Sequence, residues 1–221
     1  LDLGDPQVPL VGVPVDDVLV YSSDTDFTPF DKGAYASSTT YISGTAVAKA
    51  AQQVAERIKI RAAAMLSTKE KKVSPDEITL ANQAAVCKDG RQVTLKEIGY
   101  NSLHHENQEQ IMGTASYVAP SSPPPFAAQF AEVTVDIETG KLTVDKLVMA
   151  VDAGKIVNPI TASGQIEGGM VQALGYAVCE EMVYDKKGQP REKDLIDYHI
   201  FRSDEMPELK TIFVETYEPT H

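Results

Sequence analysis

Apolar residues recur at helical spacing from Thr45 to Leu66, where Val47, Ala50, Ala51, Val54, Ile58 and Ala62 lie opposite Lys49, Gln53, Glu56 and Lys59. This run predicts a long amphipathic helix. Ahead of it, Val15 to Ser23 (VDDVLVYSS) has the content of a strand, and SDTDFTPFDKG reads as a loop punctuated by aspartates, Pro29 and Gly33. Ser74-Pro75-Asp76-Glu77 joins an N-cap hydroxyl, a proline at the first helical position and a carboxylate three residues on, and so predicts a helix start. AAVCKDGRQV predicts a hairpin through Asp89-Gly90, and Thr94-Leu95-Lys96-Glu97 repeats the capping pattern before a short helix.

Ala119 to Phe126 (APSSPPPF) interrupts the pattern, because three consecutive prolines suit neither a helix nor a central strand. Beyond it, FAEVTVDI and KLTVDKLVMAV alternate around Glu138-Thr139-Gly140 and predict an antiparallel hairpin. Asn158-Pro159 reads as a loop before a helix running from about Ser163 to about Met182. A last hairpin is expected around Asp185 to Gly188, and KTIFVETYEP reads as a strand. The predicted fold class is α+β, in two subdomains of mixed strands and helices, residues 1–118 and 127–221, joined by a connector at 119–126.

Composition narrows the function. A 221-residue chain with 43% hydrophobic and 24% charged residues is that of a globular protein with a proper core. A formal charge of -12 argues against a nucleic-acid surface or an anionic membrane. No apolar run approaches the ~18 residues of a membrane span, and LDLGDPQVPL lacks the pattern of a signal peptide. A cytoplasmic address is the expectation. Cys87 and Cys179 are too few for a four-thiolate zinc or iron–sulfur site and are expected to be reduced, Cys179 among apolar neighbours of a helix. His104, His105, His199 and His221 show no metal-ligand spacing, so no metal ligands are assigned.

Two segments carry candidate chemistry. In GAYASSTTYISG, Gly33 to Gly44, small hydroxyl residues empty into a helix, where backbone N–H groups, side-chain O–H groups and the positive end of the helix dipole could hold an anion. A plain N-cap explains the same residues. In GQIEGG, Gly164, Gly168 and Gly169 permit close approach of another helix or of a ligand, to which Gln165 offers an amide. This is neither a dinucleotide fingerprint nor a phosphate-binding P-loop. Asp24, Asp26 and Asp31 suit either an oxygen-ligand loop or Asx turns. Glu180 and Glu181 read as a solvated helix end.

Taken together, SSDTDFTPFDKGAYASSTTYISGTAV, PPPFAAQFAEVTVDIETGKLTV, VDAGKIVNPITASGQIEGGMVQALGYAVCEE and VETYEPT resemble, in order and spacing, the molybdenum-cofactor subunit of the xanthine dehydrogenase and aldehyde oxidase family. The match runs from about Val13 to His221 and corresponds to much of the C-terminal molybdopterin-binding domain. The resemblance implies that Ala36, Ser37, Ser38, Thr39 and Thr40, with Gln165, bind the molybdopterin cofactor, and that Tyr35 and Ala36 approach the substrate. It implies no Fe–S cluster or FAD in this chain. Tyr35 departs from the small residue expected in a purine hydroxylase, so substrate specificity does not carry over.

Two further departures bear on activity. LDLGDPQVPLVG stands where the family has a longer Gly- and Gln-containing segment, and the chain stops at His221 before the family's Gly-Glu loop, whose glutamate is the catalytic base. General-base assistance typically contributes roughly a hundred- to ten-thousand-fold, so no catalytic residue is assigned and the isolated chain is expected to be inactive. The function implied is the molybdopterin-binding portion of a hydroxylase acting on an N-heterocycle or aldehyde. The partners implied are the first molybdenum domain and the Fe–S and FAD subunits, with a homo-oligomer as a further option. The alternative is a non-catalytic remnant or interaction module that keeps the fold without cofactor. An exposed apolar face separates the two: a domain that normally packs against a partner is expected to show a large apolar patch that binds dye, and to self-associate.

Overall fold

The computed structural model describes residues 11–36, 38–105, 107–122 and 124–217, and its longest element is helix α1, Thr39–Leu66. The helix begins at Thr39 rather than Thr45, so the hydroxyl segment is partly its first turn. Its buried residues, Thr45, Ala48, Ala55, Ile58, Ala62 and Ala63, lie on a face rotated from the predicted one, and Val47 is 69% exposed. Small residues win the inner face because they let a sheet approach closely. That sheet has three antiparallel strands in the order β1 (Ile78–Ala81), β2 (Ala84–Cys87), β3 (Gln92–Thr94). Ile78, Leu80, Ala85, Cys87 and Val93 pack with Ile58 of α1 and with Ile98 of helix α2, Leu95–His104. Burying a side chain such as Ile58 is worth about 2 kcal/mol.

Capping fixes the ends. Thr94 Oγ1 accepts from Glu97 N–H while the Glu97 carboxylate accepts from Thr94 N–H, the expected capping box. Ser74 and Glu77 make the same box, yet only a one-turn 3-10 helix, Pro75–Glu77, follows before β1. The alternation Ile78-Thr79-Leu80-Ala81 buries every second residue and draws the chain into the sheet. Arg91 donates to the Leu66 carbonyl at the end of α1, and its guanidinium, with Lys71, holds the Asp89 carboxyl well below the usual range.

The strand predicted over Val15 to Ser23 is absent: Val15–Asp17 form a one-turn 3-10 helix and Val18 to Tyr21 run exposed, Leu19 at 94%. Strand-forming residues make a strand only in a ladder, and the first unit's sheet pairs only β1, β2 and β3 among the described residues.

Residues beyond 122 form a second compact unit. Strand β4, Phe126–Val135, pairs antiparallel with β5, Leu142–Asp152, around the expected Glu138-Thr139-Gly140 turn, with a bulge between Glu132 and Val133. Strand β6, Glu208–Val214, pairs parallel with β5. Helix α3, Pro159–Val178, lies on one face, where Met170 and Leu174 pack on Leu147, Met149 and Leu209. It starts and ends four residues before the predicted bounds. Asn158 Oδ1 accepts from the N–H groups of Ile160 and Thr161, so Asn158-Pro159 is the helix cap rather than a loop. The last predicted hairpin reduces to one bridge, Tyr184 to Pro190.

Alternation places Phe126, Phe130, Val148, Ala150, Ile212 and Val214 on the sheet face away from α3. That face is bare: Phe126 is 69% and Phe130 65% exposed, and every residue of β4 is exposed.

Candidate functional site

In the first unit, Tyr35, Ala36, Ser38, Thr39 and Thr40 sit together at the start of α1, while Ser37 lies outside the described residues. Ser38 occupies the N-cap position but does not cap with its side chain. Its Oγ and N–H both donate to the Tyr35 carbonyl, at 2.8 and 3.2 Å. A tight turn precedes the helix in consequence, with Ala36 at φ 48°, a left-handed value uncommon for a side chain with a Cβ. Thr39 and Thr40 are exposed in the first turn, where backbone N–H groups have no partner within the helix. The exposed Thr39 and Thr40 hydroxyls and the first-turn N–H groups are therefore open to a ligand, with the positive end of a 28-residue helix behind them.

The aspartate-rich loop before this turn is wired internally. Asp24 accepts from the Asp26 N–H at 2.9 Å and from the Tyr21 hydroxyl, which lowers its carboxyl pKa and raises that of Tyr21. Asp31 accepts from the Gly33 N–H at 2.6 Å and the Ser43 hydroxyl at 2.7 Å. These are Asx turns, and no group of acidic, histidine or cysteine side chains among the described residues could hold a metal ion.

Gln165 belongs to the second unit, on the exposed side of α3 with Gly164, Gly168 and Gly169. A Cβ added at any of these three glycines would meet nothing within 4 Å. The close approach expected of them is therefore not made inside this unit, and the glycines leave a flat, backbone-exposed strip beside a primary amide.

Past the end of α3, Cys179 is the C-cap, half-buried, with Sγ 3.8 Å from the His199 carbonyl oxygen. Burial and the nearby Glu180 raise its thiol pKa, which makes it a poor nucleophile. Nor is Glu180 a solvated end: its Oε2 accepts from the Tyr198 hydroxyl at 2.6 Å, a bond that pushes the Tyr198 pKa up to about 12. The sequence held no local signal for this contact across 18 residues.

Residues 9–207 match the model of the molybdopterin cofactor-binding domain. The chain belongs to this family. It is 37% identical over 215 residues to the xanthine dehydrogenase molybdenum-binding subunit of Escherichia coli O157:H7, covering 95% of this chain and 28% of that protein. Its fold superposes with a TM-score of 0.83 on CO dehydrogenase from Oligotropha carboxidovorans, at 27% identity over 97% of this chain and 27% of the other. Quinoline 2-oxidoreductase from Pseudomonas putida 86 superposes equally well, TM-score 0.83, at 26% identity over 96% of this chain and 27% of that one. The chain thus spans little more than a quarter of the length of these relatives.

The donor set fits the family's cofactor. A pterin with a phosphate tail needs many neutral hydrogen-bond donors and close access to backbone. Within the first unit, the exposed hydroxyls and first-turn N–H groups of α1 are donors of this kind; within the second, the glycines of α3 leave backbone open beside Gln165. No helix among the described residues is long and apolar enough to cross a membrane.

Proposed function

We propose that this chain is the cofactor-holding portion of a xanthine dehydrogenase-like molybdenum hydroxylase acting on an N-heterocycle or aldehyde. The bound group supplies the metal's redox chemistry. Thr39, Thr40 and the backbone around Ala36 to Ser38 hold its anionic part, Gln165 donates to and accepts from the pterin, and Tyr35 and Ala36 face the substrate. Residues 1–118 are one subdomain, with the Ser/Thr loop, and residues 127–221 a second, with the Gly-Gln helix, joined by the 119–126 connector. The Fe–S and FAD centres and the first molybdenum domain belong to the rest of the assembly, and the chain on its own is inactive without them. The reading includes a cytoplasmic address, with which the two free thiols agree.

The observation that carries this reading is the family match over residues 9–207, joined to a first helical turn whose exposed donors are open to a ligand. The test is molybdenum and pterin per chain in protein purified natively from its source cells. A ratio near one, lost on Thr39→Ala with Thr40→Ala or on Gln165→Ala, supports it. A ratio near zero in the parent protein overturns it in favour of a cofactor-free module.

A further inference from the structure

We propose that Asp31 is a positioning residue for the start of α1: its carboxylate closes a ring through Ser43 that encloses the segment from Tyr35 to Thr40 and sets where its donors point. The inference rests on the reading of that segment as cofactor-facing.

A hydroxyl residue inside a helix ordinarily turns its hydroxyl back to the carbonyl four residues earlier, as Thr45 does in α1 on the Tyr41 carbonyl at 2.5 Å. Ser43 instead donates to Asp31 Oδ2 at 2.7 Å, across twelve positions. The other oxygen, Oδ1, accepts from the Gly33 N–H at 2.6 Å, and Gly33 takes the left-handed φ of 84° that turns the chain toward Tyr35. The Tyr35 carbonyl then takes the two bonds from Ser38. One carboxylate thus links the loop, the turn and the second turn of α1. Closing the ring removes chain entropy that the ligand would otherwise have to remove on binding.

Charge cannot be what Asp31 contributes to anion binding. Ser43 and Gly33 hold its carboxyl below the ordinary range, so it is ionised at neutral pH and repels a nearby anion. Asparagine separates geometry from charge. Its Oδ1 can accept from Gly33 N–H while its Nδ2 donates to Ser43 Oγ, which keeps the ring without the charge.

The experiment compares Asp31→Ala, Asp31→Asn, Ser43→Ala and the Thr39→Ala/Thr40→Ala pair in protein purified natively from the source cells. It reads pterin released per chain by fluorescence, with thermal midpoints alongside. The expected result is pterin retention weakened about fivefold for Asp31→Ala and Ser43→Ala, the worth of about one net hydrogen bond, with parental retention in Asp31→Asn and every variant still folded by its thermal midpoint. If the Thr39/Thr40 pair loses pterin while Asp31→Ala and Ser43→Ala keep it, the positioning role is wrong and the cofactor reading stands. Equal loss in Asp31→Asn and Asp31→Ala also overturns the ring. If the Thr39/Thr40 pair keeps its pterin, the reading of the segment fails and takes this inference with it.

Discussion

Gly113 lies where an extended strap crosses α1, and its replacement by alanine should loosen the first unit. A Cβ there would stand 2.3 Å from the Ala50 carbonyl oxygen and 3.1 Å from Val54 Cγ2. The Ala50 carbonyl is fixed in mid-helix, so the strap must lift. Lifting it strains the Thr114 N–H bond to Gln53 Oε1 at 3.1 Å and the edge-on contact of Tyr117 with Tyr41, ring centroids 5.8 Å apart. Overpacking costs about 1–3 kcal/mol and a lost hydrogen bond about 1 kcal/mol, so a loss of about 2 kcal/mol or more is expected. The assay is labelling of Cys87, which is 4% exposed in the first unit's core, in a Cys179→Ser background. Labelling limited by opening should accelerate about thirtyfold, since 1.4 kcal/mol is tenfold. Gly44 is the control: it lies in α1 with no atom within 4 Å of an added Cβ. Gly44→Ala should slow labelling about fivefold, the helix-propensity gain of about 1 kcal/mol. Labelling of Gly113→Ala within twofold of the parent would refute the steric argument.

Three further outcomes are expected. The Tyr198 pKa of about 12 lies above the ordinary 10.0, so its bond to Glu180 is fully present below pH 10 and is lost as pH rises through about 12. Ultraviolet titration should show a late phase from Tyr198, besides the raised Tyr21, that returns toward pH 10 in Glu180→Gln, and also in Gly175→Ala, whose Cβ would stand 2.0 Å from Glu180 Oε1; an unchanged late phase in both variants would count against the contact. Gly164→Ala and Gly168→Ala should each raise the isolated chain's stability by up to about 1 kcal/mol, since nothing lies within 4 Å, while lowering pterin content in natively purified protein; equal pterin would argue that α3 does not face the cofactor. The isolated chain should bind a hydrophobic dye through the Phe126 and Phe130 face, and Phe130→Lys should cut the signal; no dye response in the parent would mean that this face is covered in solution.

Where structure is set by near neighbours, the sequence could be read. The hairpin from Phe126 to Asp152 has alternation on both strands and a turn glycine between them, and the Thr94 capping box needs only Glu97. Misreadings at helix ends have a different cause. Asn158-Pro159 carries a cap signal that a loop also carries, and nothing in Cys179-Glu180-Glu181-Met182 stops a helix. The stop comes from Glu180, whose N–H donates to the Gly175 carbonyl at 2.8 Å and whose carboxylate is taken by Tyr198. Ser74 shows the reverse, a genuine cap outweighed by the β-alternation that follows it.

Three surface features share one physical origin. Val15 to Ser23 has the composition of a strand and no ladder, the glycines of α3 permit an approach that nothing in their unit makes, and Phe126 and Phe130 are core residues on a bare face. Apolar and small residues are costly choices for a solvated surface unless they are covered in the working state. The absent strand, the open glycines and the bare face are each features that a neighbour would complete. A cofactor-holding portion of a larger assembly needs surfaces of this kind, because its ligand must be enclosed from more than one side. A cofactor-free module has no such need for an open glycine strip beside Gln165 or for exposed donors at Thr39 and Thr40. The open glycine strip and the exposed first-turn donors therefore favour the proposed function, and the pterin content of the α3 glycine variants tests it.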